Sequence, residues 1–449
     1  MKLSFKFPAG YKLVAVLVVF ILSLTQCSKD NQLHPDKSTS SKKVETEFKV
    51  SLSDAQNLAK HQLMIVEEQN YQRLRRSKTT TNPFKPQNRE IQSLRTVKDS
   101  EEELYHIINY KEGEGFVIVA ADKRASPILA YSDNSSFSDE NLPGVKNWFQ
   151  NAGKHIKLAK SKKEIPAETK KLWEILEGNT AQKKGRTNDQ CDEFTTYYET
   201  GRYVDALARW WQKGFTSYYS PSDNGCNSDA QCNRKLAGCG PVAMGMVMRY
   251  HHFPDNFYVC VNGDCETMDY ANMPRFPASN CLYGNNNEKQ LALLVRRCGV
   301  ESSTQYGILG NCNTATYPGS INNAFANLGY LNGGGTWDDL YSNYPQVKSD
   351  LQNFFPVIFV GTTGSVNFTD AHIWVGDGYS YLSYQYYVNN CPENQICNDN
   401  CVSVLYEYIA MNWGHGGNDN GYYSANYSFI HQGDNYNTYL RALTGIRRN

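Results

Sequence analysis

Apolar residues along the chain follow two periods, one helical and one extended. "SLSD", Ser51 to Asp54, resembles a capping box, and Leu52, Ala55, Ala59, Leu63 and Val66 then recur along one helix face. A polar, Arg-rich stretch at about residues 70–100 reads as a loop. Beyond it, "LYHIINY" and "GFVIVAA" flank "KEGE" and predict a β-hairpin, and "ASPILAYSDN" predicts another strand. The pattern turns helical around Trp148 and again in "PAETKKLWEIL". Further on, Val242, Met246, Val247 and Tyr250 form an apolar stripe behind Pro241, which suits a first helical turn. "HIWVGDGY" reads as a strand entering a tight turn, and Tyr406–Asn412 as a strand ending in the Gly-rich "NWGHGG".

The N-terminus has its own pattern. Lys2, Lys6 and Lys12 precede an apolar run, Leu13 to Leu24, too short for an ordinary transmembrane helix. "LTQC" then places Cys27 where a bacterial lipoprotein signal ends and the cysteine is lipidated, although Gln26 stands where a small residue is usual. The alternative is an ordinary secretory signal; on either reading the protein is exported. The polar "SKDNQLHPDKSTSSKK" reads as a flexible tether. The expected organisation is a signal over 1–27, a tether over 28–45, a small α+β domain over 46–177, a basic linker over 178–190 and a second domain over 191–449. Lys184 and Arg186 make the linker an accessible processing site.

Charge and cysteine content narrow the partners. Forty-five basic residues balance 45 acidic ones, so nothing points to nucleic acid, or to a membrane except through the N-terminal lipid. Aside from Cys27, the 13 cysteines lie between Cys191 and Cys401. Export favours disulfides. The local pairs Cys226/Cys232, Cys260/Cys265 and Cys397/Cys401 do not repeat one zinc-knuckle spacing, so disulfides are preferred to metal, and no cofactor is expected.

Cys239 stands apart, between Gly238 and Gly240 at a helix start. The helix dipole and free N–H groups there stabilise a thiolate and lower the thiol pKa. Such a nucleophile needs a base that later protonates the leaving group. The histidines beyond the linker are 251, 252, 372, 415 and 431. His251 and His252 end the helix that Cys239 begins; they cannot reach it and are expected to complement the C-terminal dipole. His372 opens a strand and can project into a cleft. The amide of Asn412 would accept from the far ring nitrogen and fix the tautomer, with Trp413 shielding that bond from water. The Cys239 N–H and the Gln212 side chain would serve a developing oxyanion.

The order Gln212, Cys239, His372, Asn412 is papain-like. "GCGPVAMGMVMRYHHFP", "AHIWVGDGY", "NWGHGGNDNGYY" and "WWQKGFTSYYSP" resemble elements of the streptopain family of cysteine peptidases. "GFVIVAADKRASPILAYSDNSSF" is similar to that family's inhibitory propeptide. The resemblance implies an α+β fold: a papain-like peptidase domain, with a helical part and an antiparallel β part, preceded by a small α+β propeptide domain. It implies a zymogen acting on protein or peptide substrates, with its own propeptide as intramolecular inhibitor. Cys239 would be the nucleophile, His372 the general acid/base, Gln212 the oxyanion residue, and Asn412 and Trp413 the supports of the histidine. His415 replaces a second Trp common in the family, placing another titratable group near the cleft. Cys226 and Cys232 are expected to pair with each other and leave Cys239 free. The rival readings are a papain-like amidase acting on cell-wall peptides, and a catalytically inactive, disulfide-rich surface binding protein. As the structural alternative, the first domain would be an adhesion module.

Overall fold

In a computed structural model, the described residues are 47–138, 142, 144–178, 208–223, 232–281, 285–307, 314–362, 371–387, 401–425 and 439–449. Cys27, the tether, Lys184, Arg186, Cys226 and His431 lie outside them. Helix α1 (Leu52–Arg76) starts at the predicted cap: the Ser51 hydroxyl accepts from the Asp54 N–H, and the Asp54 carboxylate accepts from the Ser51 N–H. Ala55, Leu58, Ala59, Leu63 and Val66 are its buried face, while Leu52 stays exposed. The helix runs past the predicted loop boundary, and Arg73, Arg75 and Arg76 fill its last turn, where cations complement the dipole.

Four strands follow: β1 (Ile91–Asp99), β2 (Glu102–Tyr110), β3 (Phe116–Ala120) and β4 (Ile128–Ser132). The hairpin β2–β3 and strand β4 lie where the apolar runs predict. Strand β1 instead occupies part of the stretch read as a loop. It is a sheet edge whose residues are exposed or half-buried, so "IQSLRTVKD" lacks a clean apolar alternation. Helices α2 (Val145–Lys160) and α3 (Ala167–Leu176) complete this part.

The second part begins with helix α4 (Cys239–His251) and the hairpin β5 (Tyr258–Val261)–β6 (Asp264–Thr267). Helix α5 (Asn286–Glu301), the short β7 (Gln305–Tyr306) and β8 (Thr314–Ala315), and helix α6 (Pro318–Asn327) follow. Next come β9 (Thr336–Asp339), helix α7 (Leu340–Gln352), β10 (Val357–Gly361) and β11 (His372–Tyr387). The chain closes with β12 (Cys401–Asn412), β13 (Gly421–Ser424) and β14 (Leu440–Thr444). The fold is α+β, as expected, and residues Phe48–Asn449 form one unit.

One ten-stranded sheet crosses both parts in the order β1-β2-β3-β4-β13-β12-β11-β10-β14-β9. The join is antiparallel pairing of β4 with β13, Tyr131 opposite Tyr422 and Ala130 opposite Tyr423. Helix α4 lies over the other end: Val242, Met246 and Val247 pack with Leu291, Leu294, Phe325, Ile373 and Val375. That apolar burial holds the N-terminus of α4 against the start of β11.

Two disulfides link described residues, Cys232–Cys281 and Cys260–Cys265. Cys232 therefore does not pair with Cys226: the fold brings the segment before α4 beside the distant residue Cys281, a proximity that spacing cannot show. His251 also departs from expectation. It is buried, neither ring nitrogen has a hydrogen-bond partner, and burial, aided by Arg448 and Arg447, lowers its pKa to about 4. It is a neutral packing residue. Arg448 serves the helix end instead, donating to the His251 carbonyl at 3.2 Å.

Candidate active site

Gly238 caps α4 with φ +94°, and a Cβ built there would lie 2.9 Å from Thr314 Cγ2, so glycine alone fits this entry to the helix. The next residue, Cys239, is a free cysteine. Backbone N–H groups of Ile373, Gly240 and Cys239 itself face its sulfur. The Ile373 contact puts the thiol beside the residue that follows His372 on β11. Cys239 keeps some exposure as a residue, yet burial pushes its thiol upward, against the pull of those N–H groups. The lowered pKa expected from the helix start is absent here, because desolvation disfavours the thiolate more than the backbone donors favour it.

His372 opens β11 opposite Gly361 and is 3% exposed. Its Nε2 donates to the Trp413 carbonyl at 2.8 Å. The ring stacks on Trp374, at 6.1 Å between centroids, and faces His415 at 5.3 Å. Burial lowers its pKa to about 3; the neighbouring His415 adds to this and the Trp413 carbonyl opposes it. The imidazole is therefore neutral.

Asn412 is buried and makes other bonds. Its Nδ2 donates to the Ala208 carbonyl at 2.9 Å, and its Oδ1 accepts from the Gly414 N–H at 3.3 Å. The expected amide–imidazole bond is replaced by the main-chain carbonyl of Trp413. Trp413 is fully buried and packs against Trp374 and Tyr423 with centroids 5.0 and 5.2 Å away. Gln212 is half-buried, and its carbonyl accepts from the Ala237 N–H at 2.9 Å, which ties it to the segment leading into Cys239. The fold thus gathers Gln212, Cys239, His372, Asn412 and Trp413 into one region.

Three further residues were not legible as site residues. Gly144, the N-cap of α2, has φ +84°, and a Cβ there would lie 2.7 Å from His372 Cδ2 and 2.9 Å from Trp413 Cε3. Asp419, in the Gly-rich turn, is fully buried, with its Oδ2 3.7 Å from His415 Nδ1. Arg209 reaches Asn134 of the first part. Gly144 and Arg209 gain their meaning from partners far away in sequence, and Asp419 from His415 close by together with Ser138 of the first part. Among the described residues, no group of three or more His, Cys, Asp or Glu side chains could hold a metal ion.

Residues 47–156 match a family model described as Spi protease inhibitor, and residues 210–423 match the Peptidase C10 family. A thiol protease/hemagglutinin, PrtT, of Porphyromonas gingivalis is 22% identical over 307 residues, covering 63% of this chain. The match spans 32% of that relative's length. A fragment of Prevotella intermedia prointerpain A is similar over 81% of this chain and 100% of its own, at 18% identity and a TM-score of 0.49. Active interpain A of the same organism is similar over 54% of this chain and 94% of its own, at 18% identity and a TM-score of 0.33. With a cysteine and a histidine brought together under a segment of the inhibitor-type domain, and the two family models spanning most of residues 47–423, the chain belongs to the peptidase C10 family and carries an N-terminal propeptide of the Spi inhibitor type.

Proposed function

We propose that the protein is an exported cysteine endopeptidase made as a zymogen. The observation that carries this reading is the meeting of Cys239, through the Ile373 N–H, with a His372 ring covered by Gly144 of the propeptide. In that state the thiol is desolvated and the imidazole is neutral and covered, so no thiolate–imidazolium pair forms. Cleavage in the linker, near Lys184 or Arg186, and departure of the propeptide would readmit water. The Cys239 N–H and its helix start then favour the thiolate.

The thiolate attacks a peptide carbonyl. The Cys239 N–H and the Gln212 amide hold the oxyanion, and His372 gives its proton to the leaving amine. His372 then takes a proton from water, which hydrolyses the thioester and frees the thiol. Asn412 and Trp413 hold the turn whose carbonyl orients the imidazole. Substrates are proteins or peptides. Export and lipidation at Cys27 follow from the N-terminal signal pattern, and linker cleavage would release the peptidase domain from that anchor.

The test is labelling with a thiol-directed epoxide and mapping of the adduct. The expected adduct is on Cys239 of the processed protein, and Cys239→Ala abolishes peptidase activity. An unlabelled Cys239 together with full activity of Cys239→Ala overturns the mechanism.

A further inference from the structure

The propeptide does more than cover His372. Between Ala130 and Ser138 it is held at Ala130, Tyr131, Asn134, Ser135, Ser136 and Ser138 by the peptidase part. Ala130 and Tyr131 pair with Tyr423 and Tyr422 along the edge of β13. The Tyr131 ring stacks on Tyr422, with centroids 5.1 Å apart and planes at 16°, and meets Tyr408 edge-on at 5.3 Å. Arg209 then forks onto Asn134: Nη1 donates to its main-chain carbonyl at 3.1 Å and Nη2 to its side-chain carbonyl at 2.9 Å. The Ser135 hydroxyl donates to the Gly417 carbonyl at 2.6 Å.

Asp419 closes the strip. Its N–H donates to the Ser136 carbonyl at 2.9 Å, and its carboxylate accepts the Ser138 N–H at 2.5 Å and the Ser138 hydroxyl at 2.8 Å. Asp419 is fully buried and sits at φ +64°, a conformation few side chains other than Asn and Asp tolerate. A buried carboxylate that loses its donors is costly. When the propeptide leaves, β13 also becomes an open sheet edge, the template to which extended peptides add as strands. The strip is joined to the catalytic residues, since Asp419 lies 3.7 Å from His415 and His415 faces His372.

We propose that the β13 edge with Tyr422, Arg209 and Asp419 is an exosite that binds an extended segment of a protein substrate after the propeptide departs. The segment it fits has the propeptide's own spacing: an aromatic residue, then Asn or Asp at the Arg209 fork, then Ser or Thr at Asp419. The inference rests on the peptidase reading and adds how a protein substrate is chosen, apart from the residues flanking the cut bond.

The test uses the full-length protein after processing, a short reporter peptide, an unfolded protein substrate, and a synthetic peptide reproducing Ile128–Ser138. That peptide ends before Gly144, the residue seated on His372. It is expected to inhibit cleavage of the protein substrate while the reporter is cleaved at its normal rate. Replacing the tyrosine, the asparagine or the last serine of the peptide by alanine should weaken inhibition by about tenfold, the effect of losing one charge-assisted bond or one stacked ring. Arg209→Gln in the protein should weaken it similarly. Equal inhibition of both substrates, or of neither, overturns the exosite. A processed protein that cleaves no reporter in a thiol-dependent manner would instead refute the peptidase reading.

Discussion

Gly144 lies against His372 so closely that no other residue fits between them: a Cβ on the glycine would stand 2.7 Å from the imidazole Cδ2. The contact comes from the helix cap of the propeptide, and the cap's positive φ penalises a side chain independently. Gly144→Ala should therefore weaken docking of the propeptide by about 1–3 kcal/mol, the cost of a strained backbone plus overpacking. Alkylation of Cys239 in the full-length zymogen measures this, and its rate should rise about tenfold or more. An unchanged rate in a variant with normal melting would show that the contact seals nothing.

Asn412 tests whether the amide acts on the turn or on the imidazole. In the zymogen it bonds Ala208 and Gly414, both buried partners. Asn412→Ala should leave them unsatisfied and cost about 1–3 kcal/mol in the urea unfolding of full-length Cys239→Ala. Asn412→Asp should cost more, because a carboxylate oxygen would then face the Ala208 carbonyl. Unaltered stability of both variants would return Asn412 to a purely catalytic role.

Much of this arrangement was legible in the chain because the relevant signals are local. Ser51 caps its own helix, and His372 opens a strand that its apolar neighbours predict; Val242, Met246 and Val247 are buried as their spacing predicts, but α4 is buried on nearly every side, and Tyr250 only half. The order Gln212, Cys239, His372, Asn412 reads as papain-like, and the fold brings these residues into one region, although Asn412 bonds Ala208 and Gly414 in place of the imidazole. What the chain concealed is non-local. Strand β1 has a partner on one side only and needs no alternation, so its sequence reads as loop. In sequence Gly144 is one more glycine before a helix and Asp419 one more polar residue in a turn; the fold sets each against a residue of the other part. The partner of Cys232 was hidden for the same reason.

The two disulfides should differ in weight. Cys232–Cys281 closes a loop with a sequence separation of 49, whereas Cys260–Cys265 spans 5 within one hairpin. Loop-closure entropy gives the longer link roughly 4 kcal/mol and the shorter roughly 2. Replacing both members of each pair by serine should lower the melting temperature more for the first pair. Peptide mapping of the unreduced protein should recover Cys232 joined to Cys281. Recovery of Cys232 joined to Cys226 would contradict the observed linkage.

The buried imidazoles make the zymogen sensitive to acid. His372 would titrate near 6.5 in an open chain but only at about 3 beneath the propeptide, because burial and the adjacent His415 disfavour its charged form. A histidine with a depressed folded pKa contributes stability that is complete above the unfolded value and declines as pH falls toward the folded one. The window therefore runs from 6.5 down to about 3. Within it each pH unit removes up to about 1.4 kcal/mol. His251, lowered to about 4 by burial and then by Arg448 and Arg447, acts in the same direction. Full-length Cys239→Ala should melt at progressively lower temperature from about pH 7 to about pH 5, and His251→Leu should remove part of that slope. The share owed to His372 should appear as opening of the propeptide. Labelling of Cys239 in the wild-type zymogen by a pyridyl disulfide, which reacts with thiols in acid, should accelerate over the same range. A rate that stays flat or falls would mean that the propeptide remains seated when His372 takes up its proton.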